Sequence, residues 1–102
     1  MFRASSRLLG PRVTLFTRAN CSLCDTAKTV VENVKAKRSL EYAEINVMEP
    51  GQEKWKSVYE FDTPVIHIDK VGSGETTTSA EKLLHRFKEQ QVIEAIDRVE
   101  RS

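Results

Sequence analysis

Thr14-Leu15-Phe16-Thr17-Arg18-Ala19-Asn20-Cys21-Ser22-Leu23-Cys24-Asp25-Thr26-Ala27 is the stretch on which the reading of this chain turns. Apolar and β-branched residues lead up to Thr17, and a polar turn follows. Helix-compatible residues then begin beside Cys21. Cys21 and Cys24 are the two cysteines of the chain. A C-x-x-C at a strand-to-helix junction reads as a redox dithiol.

The chemistry explains why such a pair belongs at such a place. The thiolate, not the thiol, attacks a disulfide. A free thiol has a pKa of about 8.5, so little of it is ionised at neutral pH, and a shift of roughly two units needs about 2.7 kcal/mol of differential stabilisation. A helix N-terminus contributes about 0.3–1 kcal/mol, rising to ~2 when partly buried. Its unpaired N–H groups point at a sulfur on the first turn. Arg18 adds a positive charge, and Asp25 partly opposes it. The expectation is a Cys21 pKa that is depressed but not extreme, with Cys24 as the protonated resolving thiol. The i, i+3 spacing puts both sulfurs on one helix face, within reach of a disulfide.

Other readings of the pair remain open at this point. The two cysteines suit a small apolar core. Half of a zinc site would need two more ligands, and neither His67 nor His85 is flanked at ligand spacing. A cluster shared between two chains is a third arrangement. Asn20-Cys21-Ser22 matches a glycosylation acceptor, but no secretory signal accompanies it.

Length and composition set the frame. With 102 residues, 39% hydrophobic and 30% charged, the chain is one globular domain with a modest core. A net charge of +1 makes no case for nucleic acid or a membrane surface. No apolar run approaches the ~20 residues of a spanning helix. Two cysteines do not make a secreted disulfide framework. A monomer is expected. The first acidic residue is Asp25, and before it stand Arg3, Arg7, Arg12 and Arg18 with Ser5 and Ser6. Residues 1–11 therefore read either as a mitochondrial transit segment or as a short disordered tail, and the location as mitochondrial or cytoplasmic.

Residues 12–102 form the domain. Residues 12–17 predict a strand apolar on both faces. Leu23, Ala27, Val30, Val31 and Val34 predict a helix over residues 22–36, with Lys35, Lys37 and Arg38 at its C-terminal end. Residues 40–47 alternate like a strand at a sheet edge, completing a βαβ unit. A second helix is expected over residues 51–61, with Trp55, Val58 and Tyr59 on its core side. Pro64 opens a third strand running to Asp69, where a proline without an N–H is tolerated. His67 reads as a sheet residue. Gly72 and Gly74 mark a hairpin turn, and a short fourth strand is expected over residues 75–78. Ser79 then caps a last helical region, with Leu83, Leu84 and Phe87 in one apolar patch and Val92, Ile93, Ile96 and Val99 in another. The phase shift at Glu89-Gln90-Gln91 predicts a bend or two helices.

The order β-α-β-α-β-β-α, the C-x-x-C opening the first helix, and Thr63-Pro64 opening the third strand about 40 residues later together resemble the glutaredoxin branch of the thioredoxin fold. The resemblance spans Val13 to Phe87 and is closest to small, divergent glutaredoxin-like proteins with a T-R-x-x-C-x-L-C start. It implies an α/β fold with a four-stranded mixed sheet flanked by helices. It also implies a cis bond before Pro64, facing the cysteines, with the Thr63 backbone pairing with the cysteine of bound glutathione. Arg18 takes the place of a lysine that binds the glycine carboxylate of that peptide. The chain departs from the family in having Ser22-Leu23 between the cysteines instead of Pro-Tyr. It lacks the Gly-Gly before the family's next helix, where Thr77 to Glu81 is expected to stand, with Glu81 in the acidic part.

The resulting expectation is a small thiol–disulfide oxidoreductase in electron transport. Cys21 and Cys24 form its redox-active disulfide, and Arg18, Thr63 and Pro64 bind its substrate. Its partner is a disulfide-containing protein or glutathione, the latter as co-substrate. No tightly bound cofactor and no metal are expected. The competing expectation is a binding module on the same fold, holding a partner protein or an iron–sulfur cluster with little turnover. The altered loop and the C-terminal extension motivate it.

Overall fold

A computed structural model describes residues 10–72 and 74–101. It contains β1 (Arg12–Thr17), α1 (Ser22–Lys35), β2 (Glu41–Asn46), α2 (Glu53–Tyr59), β3 (Val65–Asp69), β4 (Glu81–Leu84) and α3 (Glu89–Arg101). The four strands form one sheet in the order β2-β1-β3-β4. β1 runs parallel to β2 with Phe16 opposite Ile45, and antiparallel to β3 with Phe16 opposite Val65. β4 is antiparallel to β3, with Leu84 opposite Val65. This is the thioredoxin-like arrangement expected from the order of elements. Residues 1–9, which hold most of the expected targeting segment, lie outside the described part.

The sheet separates two apolar layers. On one face Val13, Leu15, Ile66 and Ile68 pack against Ala27, Val31 and Val34 of α1 and Val92, Ala95, Ile96 and Val99 of α3. The α3 set falls at i, i+3, i+4 and i+7, which gives one helical stripe. On the other face Phe16, Val47 and Val65 pack against Trp55 and Tyr59 of α2. β1 and β3 are covered on both sides, hence their continuous apolar runs. β2 lies at the edge, hence its alternation. Arg38, just past α1, ties that helix to α3 through Asp97 at 2.7 Å and Glu100 at 3.2 Å.

Entry into β1 is tightly fixed. Gly10 and Pro11 are buried, and the Glu41 N–H donates to the Pro11 carbonyl at 2.9 Å. A Cβ on residue 10 would stand 1.8 Å from the Ser39 carbonyl oxygen, so this close approach requires glycine.

The chain from residue 75 onward differs from the sequence reading. Residues 75–78 are not a strand; β4 is Glu81–Leu84. Thr76 is drawn under the sheet instead, 2.9 Å from His67 Nδ1. Leu83 belongs to β4 opposite Ile66, not to a helix. The shift in phase near Glu89 marks the start of α3, a single helix, rather than a bend within a longer one. There the Gln91 side chain accepts the Lys88 N–H at 2.8 Å, a capping interaction that fixes the start. Glu81 consequently lies far from any helix start and pairs with Arg98 of α3 at 2.8 Å. The α2 helix is also shorter than expected, at Glu53–Tyr59.

His67 is fully buried beside Phe16, Trp55 and Tyr59. Its Nε2 lies 2.5 Å from the Tyr59 hydroxyl. A neutral ring satisfies both neighbours, donating to one hydroxyl through its N–H and accepting from the other at its bare nitrogen. Burial is the main cause holding its pKa down at about 4; Lys82 lowers it further and Asp69 opposes. The folded pKa lies below the unfolded value of about 6.5. The stabilisation is therefore complete above pH 6.5 and is lost as pH falls toward 4, by an amount on the order of 3 kcal/mol. Urea unfolding across pH 4–7 should show this slope, and His67→Gln should flatten it. Equal slopes in both proteins would remove His67 as the cause.

Candidate functional site

Three loops meet at one end of the sheet. β1 ends at Thr17 and its loop carries Arg18 to Cys21. β3 begins beside it, because Phe16 pairs with Val65, so Thr63 and Pro64 stand at the same end. Leu84 pairs with Val65, which brings His85 to Lys88 there as well. The sequence encodes the first of these turns directly. Asn20 has φ 58°, in the left-handed region that asparagine tolerates better than most residues. That turn places Cys21 at the N-cap of α1.

Cys21 and Cys24 are joined in a disulfide, with Cα atoms 5.2 Å apart. Cys21 is half-buried, whereas Cys24 is 2% exposed. The Cys24 N–H donates to Cys21 Sγ at 3.1 Å, so the sulfur takes the place that a serine or aspartate oxygen fills at other helix starts. The same contact would stabilise a thiolate there, since the donor and the helix dipole both favour negative charge.

The three loops are pinned together. Arg18 Nη1 donates to the Glu60 carbonyl at 2.7 Å, joining the cysteine loop to the end of α2. The His85 N–H donates to the Pro64 carbonyl at 2.7 Å, and His85 adopts φ 62° in doing so. His85 Nε2 lies 3.8 Å from Asp62. The Thr63–Pro64 bond is cis. Arg18, Thr63, Pro64, Cys21 and Cys24 are thus gathered at one end of the sheet, whereas Glu81 is remote, at the outer end of β4. Among the described residues no three of His, Cys, Asp and Glu cluster as a metal site, and no helix is long and apolar enough to cross a membrane.

Sequence reasoning missed Phe61, which is 88% exposed next to this rim, and the loop from His85 to Lys88. A cavity of about 440 Å³ lies elsewhere, between Ile68, Glu81 and Arg98, and has no access to the dithiol chemistry. A smaller one of about 300 Å³ is lined by Leu23, Thr26, His85, Arg86, Lys88 and Gln91, beside the cysteines. Trp55 is buried, which assigns it to packing.

A dithiol at the first turn of a helix, on a four-stranded mixed sheet with a cis-proline at the adjoining strand, defines the class of thioredoxin-fold thiol–disulfide proteins. Within that class residues 12–97 match the family described as Glutaredoxin-like domain (DUF836), and the chain belongs to that family. It is similar to chloroplastic thioredoxin z, with TM-score 0.68 and 18% identity over 96% of this chain and 84% of that one. It is also similar to the protein XcR50 from X. campestris, with TM-score 0.61 and 19% identity over 84% and 96%. Thioredoxin O2 from Arabidopsis thaliana, in its oxidised state, gives TM-score 0.62 and 15% identity over 95% and 86%. These structures establish the fold, and at the level of the family the cysteine pair marks a thiol–disulfide oxidoreductase.

The Arg18 contact is measurable. Removing a charged donor from the Glu60 carbonyl costs about 1–2 kcal/mol at a half-buried site. Arg18→Met should lower the urea midpoint correspondingly, with Arg18→Lys recovering part of it. No change in Arg18→Met would mean that the two loops hold together without this bond.

Proposed function

We propose that this protein reduces disulfides, of proteins or of protein–glutathione mixed disulfides, with Cys21 as nucleophile and Cys24 as resolving thiol. The observation that carries the reading is the half-buried Cys21 sulfur, which receives the Cys24 N–H at the start of α1 while Cys24 itself is enclosed. The Cys21 thiolate attacks one sulfur of the substrate. A new Cys21–substrate bond forms, the substrate S–S bond breaks, and the other sulfur leaves as thiolate. Cys24 then loses its proton and attacks Cys21 Sγ. This releases the captured thiolate and leaves the Cys21–Cys24 disulfide. Two glutathione thiols reopen it and are themselves oxidised to glutathione disulfide.

The neighbouring residues support binding rather than bond making. Thr63, just before the cis bond, offers backbone groups to an extended substrate segment, in the manner of an added strand. Pro64 shapes that segment's path past the sulfur. Arg18 keeps further guanidinium N–H donors beyond the one spent on Glu60 and can receive a carboxylate.

Alkylation by iodoacetamide as a function of pH tests the chemistry. We expect the Cys21 thiol to titrate below the usual thiol range, as thiols at helix N-termini or near cations do. A glutathione-coupled reductase assay should find Cys21→Ser inactive, and Cys24→Ser still active on glutathione mixed disulfides. A Cys21 pKa at or above 8.5 together with no reducible Cys21–Cys24 bond would defeat the proposal. Absence of turnover with a coloured protein after anaerobic expression would instead favour a cluster-holding module.

A further inference from the structure

The rim around the dithiol has an uneven character that the redox chemistry does not use. Phe61, 88% exposed, follows Glu60, whose carbonyl is held by Arg18. Leu84, 44% exposed, precedes His85, whose N–H is held by the Pro64 carbonyl. Both apolar side chains therefore sit on segments fixed to the cysteine loop and the cis-proline. A phenyl ring left in water at a rigid rim is the kind of group that anchors a protein contact.

The loop after Leu84 is basic, whereas Phe61 itself stands between Glu60 and Asp62. Arg86 and Lys88 are exposed and line the cavity next to Leu23. Neither is in an ion pair among the described residues, although Lys37, Arg38 and Arg98 all are. The carboxylate that reaches this loop, Asp62, lies toward His85. Glu89, the first residue of α3, is turned to Lys37 and Asn33. The cavity lining itself contains no carboxylate.

We infer that this rim selects a polypeptide segment in which the disulfide cysteine is flanked by an acidic side chain and an apolar one. The acidic side chain would be received by Arg86 and Lys88, and the apolar one by Phe61. The inference rests on the proposed disulfide chemistry and narrows its substrate to a protein partner. Glutathione is a poorer match. Its γ-glutamyl end carries an ammonium next to its carboxylate, and Arg86 and Lys88 repel that ammonium with no carboxylate in the cavity lining to offset them. Its glycine carboxylate is free of that ammonium but comes with no apolar side chain for Phe61, whereas a protein segment brings a lone carboxylate and an apolar side chain together. Exposed pairs of this kind give modest equilibrium effects and are screened by salt.

Binding is measured apart from turnover so that the two ideas fail separately. The oxidised full-length protein is titrated with fluorescein-labelled ten-residue peptides. In these the substrate cysteine is replaced by serine, a leucine lies on one side, and either two glutamates or two lysines lie on the other. The acidic peptide should bind three- to tenfold more tightly at 20 mM salt, with the ratio approaching one at 0.5 M. Arg86→Glu combined with Lys88→Glu should reverse the preference. Phe61→Ser should weaken both peptides several-fold. Circular dichroism and thermal melts show whether these surface variants are folded. Equal binding of the two peptides would overturn the inference. So would an unchanged preference in the folded double variant, or S-methylglutathione binding as tightly as the acidic peptide. Turnover of bis(2-hydroxyethyl) disulfide by wild type reports on the redox chemistry independently of all these outcomes.

Discussion

The donation of the Cys24 N–H to Cys21 Sγ is the contact around which the molecule is arranged. It exists only if Cys21 sits at the cap of α1, and it sits there only if β1 stops at Thr17. β1 stops there because it is held from every side. β2 and β3 pair with its two edges, and apolar layers cover its two faces. A strand fixed in this way cannot slip by one residue without sending Phe16 and Leu15 to the wrong faces. The position of one sulfur is thus set by the packing of the whole sheet.

The two faces of the sheet do different work. The α1–α3 side is purely apolar and resembles any small core. The α2 side contains a buried polar chain, Tyr59 to His67 to Thr76, which fastens the long β3–β4 connection to the sheet. A buried histidine in that position is satisfied at both nitrogens, so the cost of its burial is offset while the ring stays neutral. This connection keeps β4 in register and hence places His85 under the Pro64 carbonyl. The rim near the cysteines therefore depends on a hydrogen-bonded chain on the far side of the sheet.

Much of the fold could be read from residues. The periodicity of Ala27, Val31 and Val34 found α1, the double-faced apolar run found β1, and Thr63-Pro64 found the start of β3. The misplaced β4 has a clear cause. Thr76, Thr77 and Thr78 are β-formers by propensity, but His67 claims Thr76 as a hydrogen-bond partner and the chain does not pair until Glu81. Leu83 and Leu84 are adjacent apolar residues, which fit a helix patch or a strand equally well until Ile66 supplies the partner. The sequence singled out the cysteines, Arg18, Thr63 and Pro64, and the fold gathers them at one end of the sheet. Phe61 and Arg86 were not, because neither carries a motif, and only exposure and neighbourhood distinguish them.

The amino-acid order by itself determined the dithiol, its place at a helix start, the proline landmark and the sequence of strands and helices. These are local facts, written in spacing of a few residues and in the φ restrictions of proline and asparagine. Only the tertiary structure decided that Arg18 spends a donor on Glu60, that β4 begins at Glu81, and that a basic loop and an exposed phenyl ring share the rim. Those depend on which groups meet after the chain has closed on itself, from nine residues apart for His67 and Thr76 to 42 for Arg18 and Glu60, where burial and hydrogen-bond satisfaction override local preference.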